Sequence, residues 1–200
     1  MGGNSRYISS SYATGNVSGH DYVGGFIGRN GESAQGFGSV ENSFSLGNVI
    51  GVEHVGGFAG ANNPNYVSFN GAEITKSYSI GHVLGTGPHI FGMVGTNGGT
   101  CEESFWDTVN SQQAYDSCGI AKPTPLIKVM DTFLAENWDF DDVWDIDETE
   151  GINDGYPYLR GVGVEALRSS VSQGINCILE TYDGEDDDSV VLSDVIDPYV

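Results

Sequence analysis

The sequence predicts an all-β fold: a β-solenoid of the parallel β-helix type with about three rungs and a small C-terminal cap that contains a helix. Three observations lead to this prediction. A similar sequence segment recurs along the chain, equivalent positions of its copies hold similar apolar residues, and glycine or asparagine separates those positions. Repeats have to be recognised first, because a unit of a solenoid buries its apolar side chains only against neighbouring units.

The repeat has three copies, at 8–30, 40–62 and 74–97. The first two are 23 residues long, the third has one additional residue near Gly87, and a fragment of a fourth begins at Cys101. The spacers between them vary and hold 9, 11 and 3 residues. Constant cores with variable spacers are typical of repeated units joined by surface loops.

Equivalent positions of the copies indicate strands, because they hold β-branched or aromatic residues between turn residues. The aromatic column consists of Tyr12, Phe44, Tyr78 and Phe105, and an asparagine column consists of Asn30, Asn62 and Asn97. If the copies lie in register, equivalent residues are about 4.8 Å apart. We therefore expect a structural stack of aromatic rings within a continuous core, and a ladder of asparagine amides.

A tandem of small antiparallel hairpins, as in a β-prism or sandwich, is the alternative to the solenoid. Helical spacing of apolar residues does not occur within the repeats, so a helical array is not expected. The stacked arrangement is favoured because one unit has too few apolar side chains to form a core alone.

Two motifs recur in the copies. At 43–49 the chain reads Ser-Phe-Ser-Leu-Gly-Asn-Val, and at 55–62 it reads Val-Gly-Gly-Phe-Ala-Gly-Ala-Asn. These motifs resemble the GLUG-motif repeats of bacterial and archaeal cell-surface proteins, including filamentous-haemagglutinin-like adhesins. The resemblance covers about residues 5–160. It implies a non-enzymatic structural or adhesive module at a cell surface, whose partner is a protein or a glycan.

Charge excludes several partners. The chain has 7 basic and 28 acidic residues, a formal net charge of −21. Nucleic acid is not expected as a partner, since phosphate binding needs a basic surface. No apolar run reaches the roughly 20 residues of a membrane span, so we expect no membrane insertion. An acidic, glycine-rich chain suits a secreted protein or one that works at high salt.

The chain enters its first repeat almost at once after Met1, so we expect it to belong to a longer protein, in which any signal sequence would lie upstream. Three cysteines leave the redox state open. Cys101 and Cys118 bracket a 16-residue segment that a disulfide would close, with Cys177 left over. The alternative is three free thiols, with Cys101 serving only as a small apolar residue of its column.

The candidate binding residues are Glu53, His54 and His89, in the most variable part of each copy. Stacking in register places Tyr22, His54 and His89 in one column, with Asp21 and Glu53 beside it. Two imidazoles and a carboxylate on adjacent rungs suit a transition metal. An exposed column without a ligand is the alternative, and no catalytic residue is assigned. No Ser-His-Asp order, phosphate loop, zinc spacing or Cys-x-x-Cys motif occurs in the sequence.

Residues 101–160 are interpreted as an aromatic cap over the end of the solenoid. Thr124 as N-cap and Pro125 at the first helical position predict a helix. Its apolar face would hold Leu126, Met130, Phe133 and Leu134. Three tryptophans, Trp106, Trp138 and Trp144, suit a cap, and a sugar-stacking platform is the rival interpretation of them.

Acidic stretches follow the helix. The stretch 145–149 partly resembles a calcium loop, but Gly151 is one place late and the closing glutamate is lacking. We therefore expect no cofactor, with bound Ca²⁺ or another divalent metal as the alternative. In the acidic tail, 161–200, we expect a short helix at 164–176, a solvated charge run at 183–188 and a strand within 190–196.

Two further functions remain open. A subunit of an extracellular filament or surface layer would self-associate by adding its tail strand, 190–200, to the uncovered edge of the first rung. A carbohydrate-active enzyme of the β-helix kind would use Asp21 and Glu53 as paired carboxylates.

Overall fold

The computed structural model describes residues 3–31, 38–63, 71–116, 118–161, 177–181 and 191–195. Its repeats form a solenoid of stacked parallel strands. The hairpin alternative is wrong, because each pairing between described repeat strands is parallel. Every rung winds through five short strands, which belong to five different sheets.

The strand bounds repeat from rung to rung. A half-rung, β1 (Gly3–Asn4), comes first. The first rung holds β2 (Tyr7–Ser9), β3 (Tyr12–Ala13), β4 (Val17–Ser18), β5 (Asp21–Gly24) and β6 (Ile27–Asn30). The second holds β7 (Ser39–Glu41), β8 (Phe44–Ser45), β9 (Val49–Ile50), β10 (Glu53–Gly56) and β11 (Ala59–Asn62). The third holds β12 (Glu73–Thr75), β13 (Tyr78–Ser79), β14 (Val83–Leu84), β15 (Ile90–Phe91) and β16 (Val94–Asn97). A partial rung follows with β17 (Thr100–Glu102), β18 (Phe105–Asp107) and β19 (Ile120–Lys122).

The copies pair residue for residue, as the sequence predicts. Phe44 lies opposite Tyr12 on one side and Tyr78 on the other, and Tyr78 lies opposite Phe105. The ring centroids of Tyr12 and Phe44, and those of Phe44 and Tyr78, are 5.1 Å apart. The stack in register is therefore confirmed.

The interior of the coil is formed by side chains from different faces of each rung. One cluster contains Val23, Val49, Val55 and Val83, and another contains Val40, Phe58, Ile74, Met93 and Trp106, all at most 1% exposed. Trp106 occupies the register position of Ser79 in the partial rung. Its indole packs against Gly92, where an added Cβ would lie 2.1 Å from a ring atom. A large side chain thus fills the end of the interior.

The aromatic column lies on the outer face of its sheet, which corrects the expectation that it forms the core of the coil. Ser45, next to Phe44, points inward and donates a 2.8 Å hydrogen bond to the carbonyl of Gly57. Because side chains alternate along a strand, Phe44 points outward. Phe44 is nevertheless fully buried, because Trp144 and other side chains of the segment that follows the repeats cover it.

Asparagine amides form a ladder along the coil, as predicted, with Asn4 as an additional member. The Nδ2 of Asn4 donates to Asn30 Oδ1 at 3.0 Å, Asn30 Nδ2 donates to Asn62 Oδ1 at 2.9 Å, and Asn62 Nδ2 donates to Asn97 Oδ1 at 3.0 Å. Asn30 and Asn62 are fully buried. The ladder satisfies polar groups that would otherwise be costly to bury.

A second polar ladder, of serine hydroxyls, is not a prediction of the sequence. The backbone N–H of Ser11 donates to Ser43 Oγ at 3.3 Å, and the N–H of Ser43 donates to Ser77 Oγ at 3.2 Å. Each hydroxyl also donates to the carbonyl two residues earlier, for example Ser43 to Glu41 at 2.9 Å. One side chain per rung therefore satisfies two backbone groups.

The segment after the repeats holds α1 (Thr108–Ser111), α2 (Met130–Leu134), β20 (Trp144–Asp145), a 3₁₀ turn (Asn153–Gly155) and β21 (Tyr158–Leu159). The prediction that a helix begins at Thr124 is wrong. Residues 124–128 form turns, and the Thr124 hydroxyl donates to the carboxylate of Asp107 at 2.8 Å instead of capping a helix. Of the expected apolar face, Phe133 is buried and Met130 packs against the core, whereas Leu126 and Leu134 are each 47% exposed.

The three tryptophans are buried in packing. Trp106, Trp138 and Trp144 are 1%, 2% and 0% exposed, so the interpretation as a sugar-stacking platform is wrong. Trp138 and Trp144 pack beside each other, with ring centroids 4.4 Å apart, and both contact the ring of Tyr78. These two tryptophans cover the flank of the solenoid, and only Trp106 lies inside its end.

The end of the solenoid is closed by residues 112–116 together with Cys118. A disulfide joins Cys101 to Cys118, whose Cα atoms are 5.3 Å apart. A carboxylate oxygen of Asp116 accepts from the backbone N–H groups of Met93 and Val94, the latter at 3.2 Å. In the rungs before, carbonyl oxygens of the next rung accept from the equivalent N–H groups. The aspartate thus replaces the missing rung.

In the tail, β22 (Cys177–Thr181) pairs antiparallel with β23 (Val191–Val195). The predicted strand within 190–196 is therefore present, and it hydrogen-bonds within its own chain. The predicted helix at 164–176 and the charge run at 183–188 lie outside the described residues. Within the described part of the chain, no helix has the length and apolar character to cross a membrane.

Candidate functional site

Three rings form a partly exposed column along one edge of the coil, at the position that the sequence predicts. The ring centroids of Tyr22 and His54 are 4.6 Å apart, and those of His54 and His89 are 4.8 Å apart. The planes are within 10° of parallel in both pairs. Tyr22 and His54 are half-buried and His89 is exposed. This ring column carries side chains from three successive rungs.

The backbone explains why neighbouring side chains meet here. In a regular strand, residues 53 and 54 would point to opposite faces. Tyr22 and His54 both have φ of 51°, in the left-handed region that non-glycine residues rarely adopt. This conformation breaks the alternation, and it brings the side chain of His54 to the same edge as that of Glu53. Such strain costs about 1 kcal/mol per residue or more.

Two carboxylates lie beside the ring column. Asp21 and Glu53 are register partners on adjacent parallel strands, and both are exposed. One carboxylate oxygen of each and a ring nitrogen of His54 lie within 4.8 Å of one another. The structure therefore brings two acids and an imidazole together, and we call Asp21, Glu53 and His54 the edge cluster.

Two further side chains hold the ring column in place. The guanidinium carbon of Arg29 lies 3.7 Å from the ring centroid of Tyr22, a cation–π contact. The hydroxyl oxygen of Thr96 lies 2.6 Å from Nδ1 of His54. Sequence reasoning missed both residues, because their column reads Arg29, Ala61 and Thr96 and shows no common chemistry.

Of the three residues predicted as a binding set, two belong to the edge cluster and the third does not. Glu53 and His54 belong to the edge cluster. His89 stacks on His54 but supplies no ligand atom to the cluster, where Asp21 takes its place. The third copy carries its additional residue next to His89, and β15 begins only at Ile90. The carboxylate position of the first two rungs is therefore not repeated there.

A second polar constellation is buried and has a structural role. The carboxylate of Asp107 accepts from the N–H groups of Val109 and Asn110 at 2.8 and 3.0 Å and from the Tyr156 hydroxyl at 2.9 Å. Burial, then the charge of Asp107, raise the pKa of the Tyr156 phenol. Asp107 thereby caps α1 and anchors the segment that covers the aromatic column.

The acidic stretch after α2 directs its carboxylates to protein groups. Asp145 forms an ion pair with Arg160 at 3.2 Å. The hydroxyl of Thr149 donates to Asp147 at 2.6 Å, and this bond lowers the pKa of the Asp147 carboxyl. These two carboxylates face a guanidinium and a hydroxyl, so the partial likeness to a calcium loop gains no support from the geometry.

Comparison with known proteins gives no relative. No family model matches the chain, and neither a curated protein nor a solved structure matches it.

Proposed function

We propose that this chain is a non-enzymatic structural or adhesive module of a secreted or cell-surface protein, as its resemblance to GLUG-motif repeats implies. The observation that supports this most directly is the use of polar side chains for stacking. Asn30 and Asn62 are fully buried, and their amides bond to the same residue type on neighbouring rungs. The buried asparagine side chains thus bond to one another along the coil, which suits a stiff spacer.

Stiffness follows from the number of links between rungs. Each rung is joined to the next by strands of five sheets, by the asparagine ladder and by the serine ladder. Bending the coil would separate these bonds on one side. The aromatic column, covered by Trp138 and Trp144, adds a continuous apolar seam along the flank. A module built in this way holds whatever it carries at a fixed distance.

The disulfide between Cys101 and Cys118 supports an extracellular location. Disulfides persist in oxidising compartments and are rare in the cytosol. The net charge of −21 agrees with this, because strong like charge keeps a protein soluble and apart from other molecules. Trapping the thiols of native cells with an alkylating reagent tests the location. We expect Cys101 and Cys118 to be protected, and full alkylation of both would contradict the proposal.

The contact surface of the module is the ring column with its carboxylates. Aromatic and imidazole rings on a rigid edge offer stacking and hydrogen-bonding groups to a protein or a glycan. A glycan array and a panel of extracellular proteins, probed with the chain and with Tyr22→Ala, identify the class of partner. Tyr115→Ala is the control, because Tyr115 is 79% exposed outside the column.

An enzyme acting on glycans is less well supported. A general acid on a glycosidase is shielded from water, which raises its pKa, whereas Asp21 and Glu53 are both exposed. Turnover of a glycan that is abolished in Glu53→Gln and retained in Glu73→Gln would overturn the non-enzymatic proposal.

Association into filaments is tested by light scattering. A monomer at micromolar concentration, unchanged on deletion of 185–200, argues against strand addition.

A further inference from the structure

We propose that Asp21, Glu53 and His54 bind one divalent transition metal ion of the Zn²⁺ type at the exposed edge of the coil. The donors are one carboxylate oxygen of each acid and one ring nitrogen, all within 4.8 Å of one another. Ligands placed about 2.1 Å from a tetrahedral Zn²⁺ lie about 3.4 Å apart. We expect rotation of the two exposed acid side chains to close that difference, at the cost of the 2.9 Å bond from the Tyr22 N–H to Asp21 Oδ1 if that oxygen is the ligand. The site extends the proposed function and does not depend on it.

The backbone fixes the three residues before any ion arrives. Asp21 and Glu53 are paired across adjacent parallel strands, where Cα partners are about 4.8 Å apart. His54 follows Glu53 directly, and its φ of 51° turns the imidazole to the edge of the acids. Tyr22, at the equivalent place of the first rung, has the same φ, so the repeat itself sets this conformation. Metal binding therefore needs little ordering of the chain.

Electrostatics favours a cation at this place. The two carboxylates stand side by side in a chain of net charge −21. Neither of them forms an ion pair with a basic side chain in the part of the molecule that the structure describes. The charge of a divalent ion offsets the repulsion between neighbouring carboxylates.

The hydrogen-bond partner of His54 suits a metal ligand. A hydrogen bond at one ring nitrogen fixes the tautomer and leaves the other nitrogen as the ligand. Thr96 Oγ1 lies 2.6 Å from Nδ1, so Nε2 carries the lone pair when Nδ1 is protonated. Stacking between Tyr22 and His89 holds the plane of the ring.

The donor set determines the metal. Imidazole with carboxylates suits Zn²⁺, Ni²⁺ and Cu²⁺, whereas Ca²⁺ and Mg²⁺ take oxygen ligands. We therefore expect Zn²⁺ and Co²⁺ to compete for the same place, and millimolar Ca²⁺ to leave them bound. Three protein ligands leave the remaining coordination positions to water or to a partner molecule.

Isothermal titration calorimetry of the full chain with Zn²⁺ tests the proposal. We expect one equivalent of Zn²⁺, with at least about tenfold weaker binding in Glu53→Gln and in His54→Gln. Glu73→Gln and His20→Gln are matched controls, because both residues are exposed outside the edge cluster and should bind as the parent does. Binding in Glu53→Gln and His54→Gln that equals that of the parent would overturn the site.

Thr96→Val separates orientation of the ligand from folding. The two side chains are nearly isosteric, and only the hydroxyl beside Nδ1 is lost. We expect about tenfold weaker Zn²⁺ binding, and a cooperative thermal transition in the absence of metal that shows the chain to be folded. Co²⁺ bound to the parent should also give visible absorption that His54→Gln lacks. No binding of either ion by the parent, or displacement of Zn²⁺ by Ca²⁺, would also overturn the proposal.

Discussion

The indole Nε1 of Trp144 donates a 3.1 Å hydrogen bond to the Oδ1 of Asn42, 102 residues earlier in the chain. Asn42 lies in the turn just before β8, so this bond fastens the C-terminal segment to the middle of the coil. Trp144 also packs on the ring of Phe44, at 6.1 Å between centroids. The segment after the repeats therefore lies along the flank of the rungs as well as at their end.

Substitution of Asn42 tests this attachment. Asn42 has φ of 48°, so Asn42→Gly keeps the left-handed turn and loses only the bond to Trp144. We expect Asn42→Gly to lower the free energy of unfolding by about 1 kcal/mol. Asn42→Ala also strains the backbone and should cost about 1 kcal/mol more. Urea unfolding measures both.

Ser10→Gly is the matched control for the turn. Ser10 occupies the equivalent place in the first rung, with φ of 46°. Since glycine suits this conformation, we expect no loss of stability. If Asn42→Gly proved as stable as the parent, the bond from Trp144 would not contribute to the attachment.

The asparagine ladder gives a second prediction. Asn62 is fully buried, accepts from Asn30 at 2.9 Å, and donates to Asn97 at 3.0 Å and to the carbonyl of Thr100 at 3.1 Å. Asn62→Ala leaves buried polar groups without partners, so we expect it to lower the free energy of unfolding by about 2–3 kcal/mol. Asn16→Ala removes an exposed acceptor and should cost less than about 1 kcal/mol. Equal losses of stability in Asn62→Ala and Asn16→Ala would show that the buried ladder contributes no more than an exposed hydrogen bond.

The end of the solenoid gives a third prediction. Asp116 accepts from the N–H groups of Met93 and Val94, which have no following rung to pair with. In Asp116→Ala we expect faster hydrogen exchange at both amides and a loss of about 1–3 kcal/mol of stability. Asp131→Asn, at an exposed position of α2, should leave the exchange of these amides unchanged. Unchanged protection in Asp116→Ala would mean that another group closes the end.

Alkaline pH should unfold the protein through its buried phenols. Burial raises the pKa of Tyr78 well above its ordinary value of 10.0, although the hydrogen bond from Asn153 opposes this, and burial raises the pKa of Tyr156. Above pH 10 the unfolded chain releases protons that the folded chain retains. The stability that these phenols contribute is therefore complete below pH 10 and is lost as pH rises.

Unfolding by urea at a series of pH values between 8 and about 11 measures this dependence. We expect a smaller decline in Tyr78→Phe, whose stability at neutral pH should fall by about 1–2 kcal/mol with the loss of its bond to the Pro157 carbonyl and of the bond from Asn153. Tyr115→Phe, at an exposed position, should decline as the parent does. A decline in Tyr78→Phe as steep as in the parent would contradict the role of Tyr78.

The repeats made the register predictable. Phe44, Tyr78 and Asn62 could be placed because equivalent residues of a solenoid meet, whatever the details of the turns. The same logic placed Tyr22, His54 and His89 in one column. This comparison of equivalent positions did not identify Thr96 and Arg29, because they reach the ring column from a different sheet and share no chemistry with their own equivalents.

The segment after the repeats was less predictable. Thr124 and Pro125 form a good helix start in isolation, but the buried carboxylate of Asp107 binds the Thr124 hydroxyl. Tertiary contacts thus overrode the local signal. The outward direction of Phe44 was also hidden, because an apolar column does not tell which face of a strand is inside when another segment covers the outer face.

The position of Phe44 between Tyr12 and Tyr78 tests the account most directly. Nuclear Overhauser effects between labelled Phe and Tyr rings in the folded chain measure it. We expect cross-peaks from the Phe44 ring to the rings of both Tyr12 and Tyr78, whose centroids are each 5.1 Å away. A Phe44 ring with cross-peaks to neither tyrosine would contradict the stacked solenoid and the function proposed from it.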